Sequence, residues 1–187
     1  MSARDLRELR EILGDCHRCP LGDTRITLVF GTGDANARVL FVGEAPGRNE
    51  DLNGEPFVGA AGRLLDELLD SVGLSRSDIY IANVLKCRPP KNRDPKRPEI
   101  ESCTPFLHEQ IRIIDPTVVV TLGNFATRLL LDTKVGITDL HGAPVVIDGR
   151  TVLPVFHPAA TIYDRTKRDD LFADFATLGT LLTGGRT

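Results

Sequence analysis

"VLFVGEAPGRNEDLNGEPFVGAAG", Val39 to Gly62, decides how this chain folds. Its first four residues are apolar without a break, as expected of a strand buried on both faces; a half-wet strand would alternate. The continuation "AGRLLDELLDSVGL" (61–74) sets Leu64, Leu65, Leu68, Leu69 and Val72 at helical spacing. Between strand and helix lies a turn rich in glycine, proline and carboxylates, with Phe57 among glycines. A strand, a polar loop and an amphipathic helix open an α/β unit. In such folds, ligands bind beyond the carboxyl ends of the strands.

The rest of the chain repeats this alternation. Leu6, Leu9, Ile12 and Leu13 predict a first helix that ends at Gly14. "DIYIANVLKC" (78–87) predicts a second strand, and a helix is expected from about Arg97, with Pro98 in its first turn. "TVVVTLG" (117–123) predicts a third strand and "NFATRLLL" the start of another helix. "PVVIDGRTVLPVFHP" reads as a hairpin turning at Asp148-Gly149, whose second arm carries His157 to a strand end. A last helix is expected over 169–182. The fold class is therefore α/β, with a mainly parallel sheet flanked by helices on both faces. At 187 residues, the chain 1–187 is expected to be one domain around one core.

Charged residues at 26% and hydrophobic ones at 41% are ordinary for a globular protein. The net charge of -3 hides a local excess. "KCRPPKNRDPKR" (86–97) carries six Lys or Arg against one Asp, enough to attract phosphates. The N-terminus lacks a signal-peptide core, and the apolar runs are too short to span a bilayer. A cytoplasmic protein without membrane attachment is expected, so structural disulfides are not. The four cysteines are Cys16-x2-Cys19, then Cys87 and Cys103 with fifteen residues between them. Two sulfurs in the polar turn "DCHRCPLGD" face one centre. On spacing alone, zinc and a [4Fe-4S] cluster both fit, although zinc usually brings a second close pair.

Taken together, Cys16-x2-Cys19, "GEAPG" (43–47) with "NEDLNGEPFVGAAG", "NVLKCRPPKNRDPKRPEIESC" (83–103) and "HPAA" (157–160) resemble the family 4, iron–sulfur branch of the uracil-DNA glycosylases. The likeness runs over nearly the whole chain. It implies a three-layer sandwich with a central, mainly parallel four-stranded sheet. It also implies one [4Fe-4S] cluster on Cys16, Cys19, Cys87 and Cys103 in preference to zinc, and excision of uracil from DNA. The expected partner is uracil-containing DNA, single- or double-stranded, with a replication clamp as a candidate second partner. A monomer in the cytoplasm, associated with the nucleoid, is the expected state.

The residues suit that chemistry. A flipped base needs an aromatic platform, which Phe57 offers unless it is simply a core residue under the loop. Uracil presents a donor at N3 and an acceptor at O4. An Asn amide complements both, and Asn83 stands near a strand end, where a plain capping role is the alternative. Cytosine presents the reverse pattern and leaves that amide unpaired. The resemblance gives His157 the hydrogen bond to uracil O2 as the leaving group becomes an anion. It assigns Glu44 to water positioning and cation stabilisation, Glu50 to a supporting contact, and Gly43 and Ala45 to the uracil-binding wall. Asp51 reads as solvated. Arg88, Lys91 and Arg93 are the expected DNA-backbone contacts.

Three departures from the family pattern stand out. "HPAATIYDRTKRDD" places Thr161, Ile162 and Tyr163 where Leu-Arg usually follows His-Pro, so Arg165, Lys167 or Arg168 is expected to substitute. Thr32 stands where an acidic residue is usual. Residues 88–102 contain no histidine, unlike a related branch that traps its product covalently, so turnover is expected. Three rivals remain: an iron–sulfur electron carrier, a zinc module that binds DNA without chemistry, and a superfamily member with broader deaminated-base specificity. Dinucleotide binding is excluded, because "GTGDAN" (31–36) lacks the third glycine and precedes a strand.

Overall fold

The computed structural model describes residues 3–162 and 164–184. Tyr163 lies outside the described residues. Four strands form a parallel core: β2 (Val39–Gly43), β3 (Ile79–Asn83), β4 (Val118–Leu122) and β6 (Arg150–Val155). Two short antiparallel edge strands, β1 (Thr32–Gly33) and β5 (Val145–Ile147), extend it to six in the order β1-β3-β2-β4-β6-β5. Every residue of β2, β3 and β4 is buried, the signature of a sheet covered on both faces.

The side chains divide by the two-residue strand period. Val39, Phe41, Ile79, Ile81, Val118, Val120, Leu153 and Val155 face one core. That core is covered by α3 (Ala60–Asp70) and α8 (Arg165–Gly184), through Leu64, Leu65, Leu68, Phe175 and Leu178. The ring of Phe41 stacks on Phe175 at a centroid distance of 5.8 Å. Leu40, Val42, Tyr80, Ala82 and Val119 face the other core, under α4 (Arg97–Ile114) and α5 (Asn124–Leu130). These are the three layers expected. A smaller cluster packs α1 (Leu6–Leu13) onto α4 through Leu9, Leu13, Phe30 and Phe106. Asp5 caps α1 by accepting from the Glu8 N–H, and Gly14 ends it at φ 57.

The hairpin turns at Asp148 and Gly149, both at positive φ (51 and 78) as a two-residue type I′ turn requires. The second strand is shorter than expected, ending at Asn83 rather than Cys87. Past Asn83, the N–H groups of Val84 and Leu85 still bond the carbonyls of Gly43 and Glu44, at 2.9 and 3.0 Å. The chain then leaves the sheet with its polar groups satisfied. The last helix starts four residues earlier than expected, at Arg165. Among the described residues, no helix is long and apolar enough to cross a membrane.

Candidate active site

A cavity of about 440 Å³ lies beyond the carboxyl ends of β2, β3 and β6. Glu44, Ala45, Glu50, Phe57, Asn83 and His157 line it. Glu44, Asn83 and His157 follow directly from strand register, because Gly43, the residue before Glu44, pairs with Asn83 across β2 and β3, and His157 follows β6 by two residues. Gly43 itself stands behind the wall. A Cβ there would lie 2.3 Å from Asn83 Oδ1 and 3.0 Å from the Phe57 ring, so glycine is what lets both side chains close over the strand end.

Phe57 is buried within the first core, yet its ring faces the cavity and stacks on His157 at 5.6 Å between centroids, 27° from parallel. Core packing and a platform position are thus the same placement. Its φ of 56 is unusual for a bulky residue and persists only where neighbours enforce it. Two charged groups do so. Glu50, on α2 (Arg48–Asn53), accepts from the Val58 and Gly59 N–H groups at 3.1 and 3.2 Å. Arg76 donates to the Phe57 carbonyl at 2.6 Å and the Gly62 carbonyl at 3.3 Å, while Asp66 holds it at 2.6 Å. Glu50, expected as a supporting contact at the site, tethers the loop. Asp51, expected in solvent, is buried and accepts from the Ile26 and Thr27 N–H groups at 2.9 and 3.3 Å.

His157 begins a short helix, α7 (Pro158–Thr161), and its Nδ1 accepts from the Ala159 N–H at 3.1 Å. An imidazole nitrogen that accepts carries no proton, so the proton sits on Nε2. Burial pushes the His157 pKa down to about 4, against the opposing pull of Glu50, so the ring is neutral at pH 7. Glu44 moves the other way. Burial, and then the negative charge of Asp94, raise its pKa above the usual carboxylate value. The Asn83 side chain is buried, and among the described residues no hydrogen bond uses its amide; its backbone carbonyl accepts from Lys86.

The four cysteines come together from three places: the loop after α1, the exit from β3, and α4. All four line one small cavity whose other walls include Leu13, Leu21, Leu85 and Phe106. Among the described residues, no three His, Cys, Asp or Glu are grouped to hold a metal ion. The sulfurs do have cationic and N–H donors. Arg18 reaches Cys16 Sγ at 3.3 Å, Arg25 reaches Cys87 Sγ at 3.6 Å, and the Lys86 N–H reaches Cys103 Sγ at 3.3 Å. Burial pushes the Cys87 thiol up to about 12 and raises Cys103 too, so positive charge is needed to hold either as thiolate. An all-sulfur donor set, apolar walls and N–H···S bonds fit an iron–sulfur group.

The profile of the Uracil DNA glycosylase superfamily matches residues 30–177, which span the whole sheet and the cavity. The chain belongs to the uracil DNA glycosylase superfamily. Its relatives include the Type-4 uracil-DNA glycosylase of Archaeoglobus fulgidus, 46% identical over 181 residues, covering 92% of this chain and 90% of that protein. The Type-4 enzyme of Pyrobaculum aerophilum is 47% identical over 185 residues, with 92% of each covered. That of Thermotoga maritima is 46% identical over 165 residues, with 85% of this chain and 86% of that protein covered.

Within this glycosylase fold, the cations of the basic loop, expected to meet the DNA backbone, are not all alike. Lys86 is buried and bonds the Asn83 carbonyl and Gln110. Arg93 forms a two-pronged ion pair with the buried Glu99, at 2.6 and 2.9 Å, while lining the cavity rim. Both of its terminal nitrogens are engaged in that pair. Arg88 bonds Asn92 at 2.7 Å, and Lys91 is exposed. Lys91 and Asn92 both hold positive φ, 56 and 54, two strained residues in succession at the rim. Arg165 is exposed at the start of α8, where Lys167 pairs with Asp164 and Arg168 with Glu67.

Sequence reasoning missed Arg76, Lys86 and Gln110. Gln110 carried a signal, for it falls at core spacing with Phe106, Leu107 and Ile114, and a polar residue on that face needs buried partners. Arg76 carried none; "LSRSD" reads as a wet turn.

Proposed function

We propose that this chain is a monofunctional family 4 uracil-DNA glycosylase, which flips uracil from DNA, hydrolyses its N-glycosidic bond and leaves an abasic site for base excision repair. The observation that carries this reading is one cavity shared by a stacked aromatic ring, an unpartnered amide, a neutral imidazole and a carboxylate of raised pKa. A flipped base lies on Phe57. Asn83 accepts from uracil N3–H and donates to O4, which cytosine cannot match. As the bond from C1′ to N1 breaks, electrons pass to the pyrimidine and charge gathers on O2, where Nε2–H of His157 donates. A neutral imidazole suits that task, because it stabilises the anion without having to give up a proton. Positive charge appears on the sugar beside Glu44. The same carboxylate orients a water whose oxygen bonds C1′ and takes up the proton released.

Cys16, Cys19, Cys87 and Cys103 would hold a [4Fe-4S] cluster. It would supply positive charge that keeps the four sulfurs as thiolates and pins the loop 88–102 between two ligands; hydrolysis transfers no electrons, so its role is structural. Arg88, Lys91 and Arg165 are the remaining phosphate contacts.

The test is base excision with no metal added. Labelled DNA bearing one uracil, with cytosine, thymine and hypoxanthine controls, is incubated with the protein and then cleaved with alkali. Cleavage at uracil alone is expected. Folded, brown protein that cleaves nothing would refute the site, and equal cleavage at hypoxanthine would widen its specificity.

A further inference from the structure

Lys86 is among the largest fully buried side chains, 1% exposed, and no carboxylate pairs with it among the described residues. A methionine would fill the same volume without the cost of desolvating an ammonium. The cation is placed with both ends engaged. Its Nζ donates to the Asn83 carbonyl at 2.7 Å and to Gln110 Oε1 at 2.6 Å, and Gln110 Nε2 passes the chain on to the Phe30 carbonyl at 2.9 Å. Its own backbone N–H donates to Cys103 Sγ at 3.3 Å, and the next residue is Cys87. Asn83 is the last residue of β3, the point where the chain leaves the sheet. One residue thus links the cysteine quartet, through its backbone N–H, to the strand end that presents the Asn83 amide to the cavity, through its ammonium.

We infer that Lys86 is a positioning residue: through the Asn83 carbonyl it fixes the amide that reads uracil, and through the Cys103 sulfur it makes that placement depend on the cysteine quartet. The inference rests on the reading of Asn83 as the uracil reader. Its consequence is that the quartet governs base discrimination as well as fold. A purely structural Lys86 would lower the melting temperature and leave discrimination untouched.

The variants are Lys86→Met, which keeps the stem and removes the donors, and Gln110→Met, which removes one acceptor away from the cysteines. Equilibrium binding is measured to duplex DNA carrying a non-hydrolysable 2′-fluorinated deoxyuridine or deoxycytidine, and to unmodified duplex. Iron content and visible absorbance are followed in parallel. Lys86→Met is expected to keep its absorbance and its affinity for unmodified duplex while its uracil-over-cytosine preference falls about tenfold. Gln110→Met should move the same way, by about threefold, and it decides the matter alone if Lys86→Met does not fold. A wild-type preference retained in the folded variants overturns this inference and leaves the glycosylase reading standing. A wild-type protein without any preference overturns the Asn83 assignment, and the inference with it.

Discussion

Replacing Gly43 with alanine tests the site by a single methyl group. Gly43 is not at positive φ, so alanine brings no backbone strain, and the effect is steric. The new Cβ would stand 2.3 Å from Asn83 Oδ1 and 3.0 and 3.1 Å from two Phe57 ring carbons, where 3.0–3.4 Å is already tight. Phe57 cannot retreat, since Arg76 and Glu50 hold its loop and its ring is packed in the core. The Asn83 amide must therefore withdraw by about 0.7–1.1 Å, the difference between 2.3 Å and that tight range. A misplacement near 1 Å in a reading group costs roughly 10²-fold in rate. Overpacking of this kind costs about 1–3 kcal/mol of stability. For a domain of this size that lowers the melting midpoint by roughly 2–12 °C, far less than would unfold it at 25 °C. Single-turnover excision at 25 °C with enzyme in excess reads the chemical step, and thermal melting reads stability. Gly136→Ala is the control, because its Cβ would meet nothing within 4 Å. A Gly43→Ala rate within threefold of wild type would refute the packing of Asn83 and Phe57 against this glycine.

His157→Ala should lower kcat roughly 10²–10³-fold and change DNA affinity little; the opposite split would make it a binding residue. Because burial depresses its pKa to about 4, the unfolded chain gains a proton there below about 6.5 that the native protein refuses. Its contribution to stability is therefore complete above pH 6.5 and is lost as pH falls toward 4, and urea titrations of His157→Ala should lose that slope. Asp94 helps raise the Glu44 pKa, so Asp94→Asn should move the acid limb of kcat/KM to lower pH, and an unmoved limb would remove Glu44 as the titrating group. Cys87→Ser should lose visible absorbance and bound iron; a variant that stays coloured excludes Cys87 as a ligand. Arg76→Gln should raise KM for uracil-containing DNA about tenfold with a smaller effect on kcat, since it frees the Phe57 platform, and unchanged kinetics would show that packing alone holds the ring.

The parts of this molecule that could be read in its sequence are those governed by local periodicity. Val39–Val42 and Val118–Val120 had to be doubly buried strands, Asp148-Gly149 had to turn, and a residue after a buried strand had to arrive at the carboxyl edge of the sheet. That was enough to bring Glu44, Asn83 and His157 into one place. What could not be read is how the loops around them are held. Asp51 reaches back to residues 26 and 27, Arg76 to residues 57 and 62, and Arg93 forward to Glu99. Each joins a charged side chain to groups that no period relates to it, and each sits in a stretch whose composition suits a solvated turn. A charge in such a turn costs little when exposed and much when buried without partners, so composition alone leaves the two fates open.

The same bonds explain why the site can be built on loops at all. A loop residue at positive φ, as Phe57 is, would relax if only its side chain were packed, for rotation about its backbone would carry the ring away. Here the peptide plane after it is fixed at the Val58 N–H by Glu50 and at the Phe57 carbonyl by Arg76, which also donates to the Pro56 carbonyl at 3.4 Å, so the planes on both sides of Phe57 are tied down. At Asn83 the strand ladder fixes one side and the Lys86 ammonium the carbonyl. Phe57 and Asn83 are thus held through their backbones. Among the described residues the Asn83 amide is left unspent for a ligand, and Arg76 and Lys86 do their holding from outside the cavity wall.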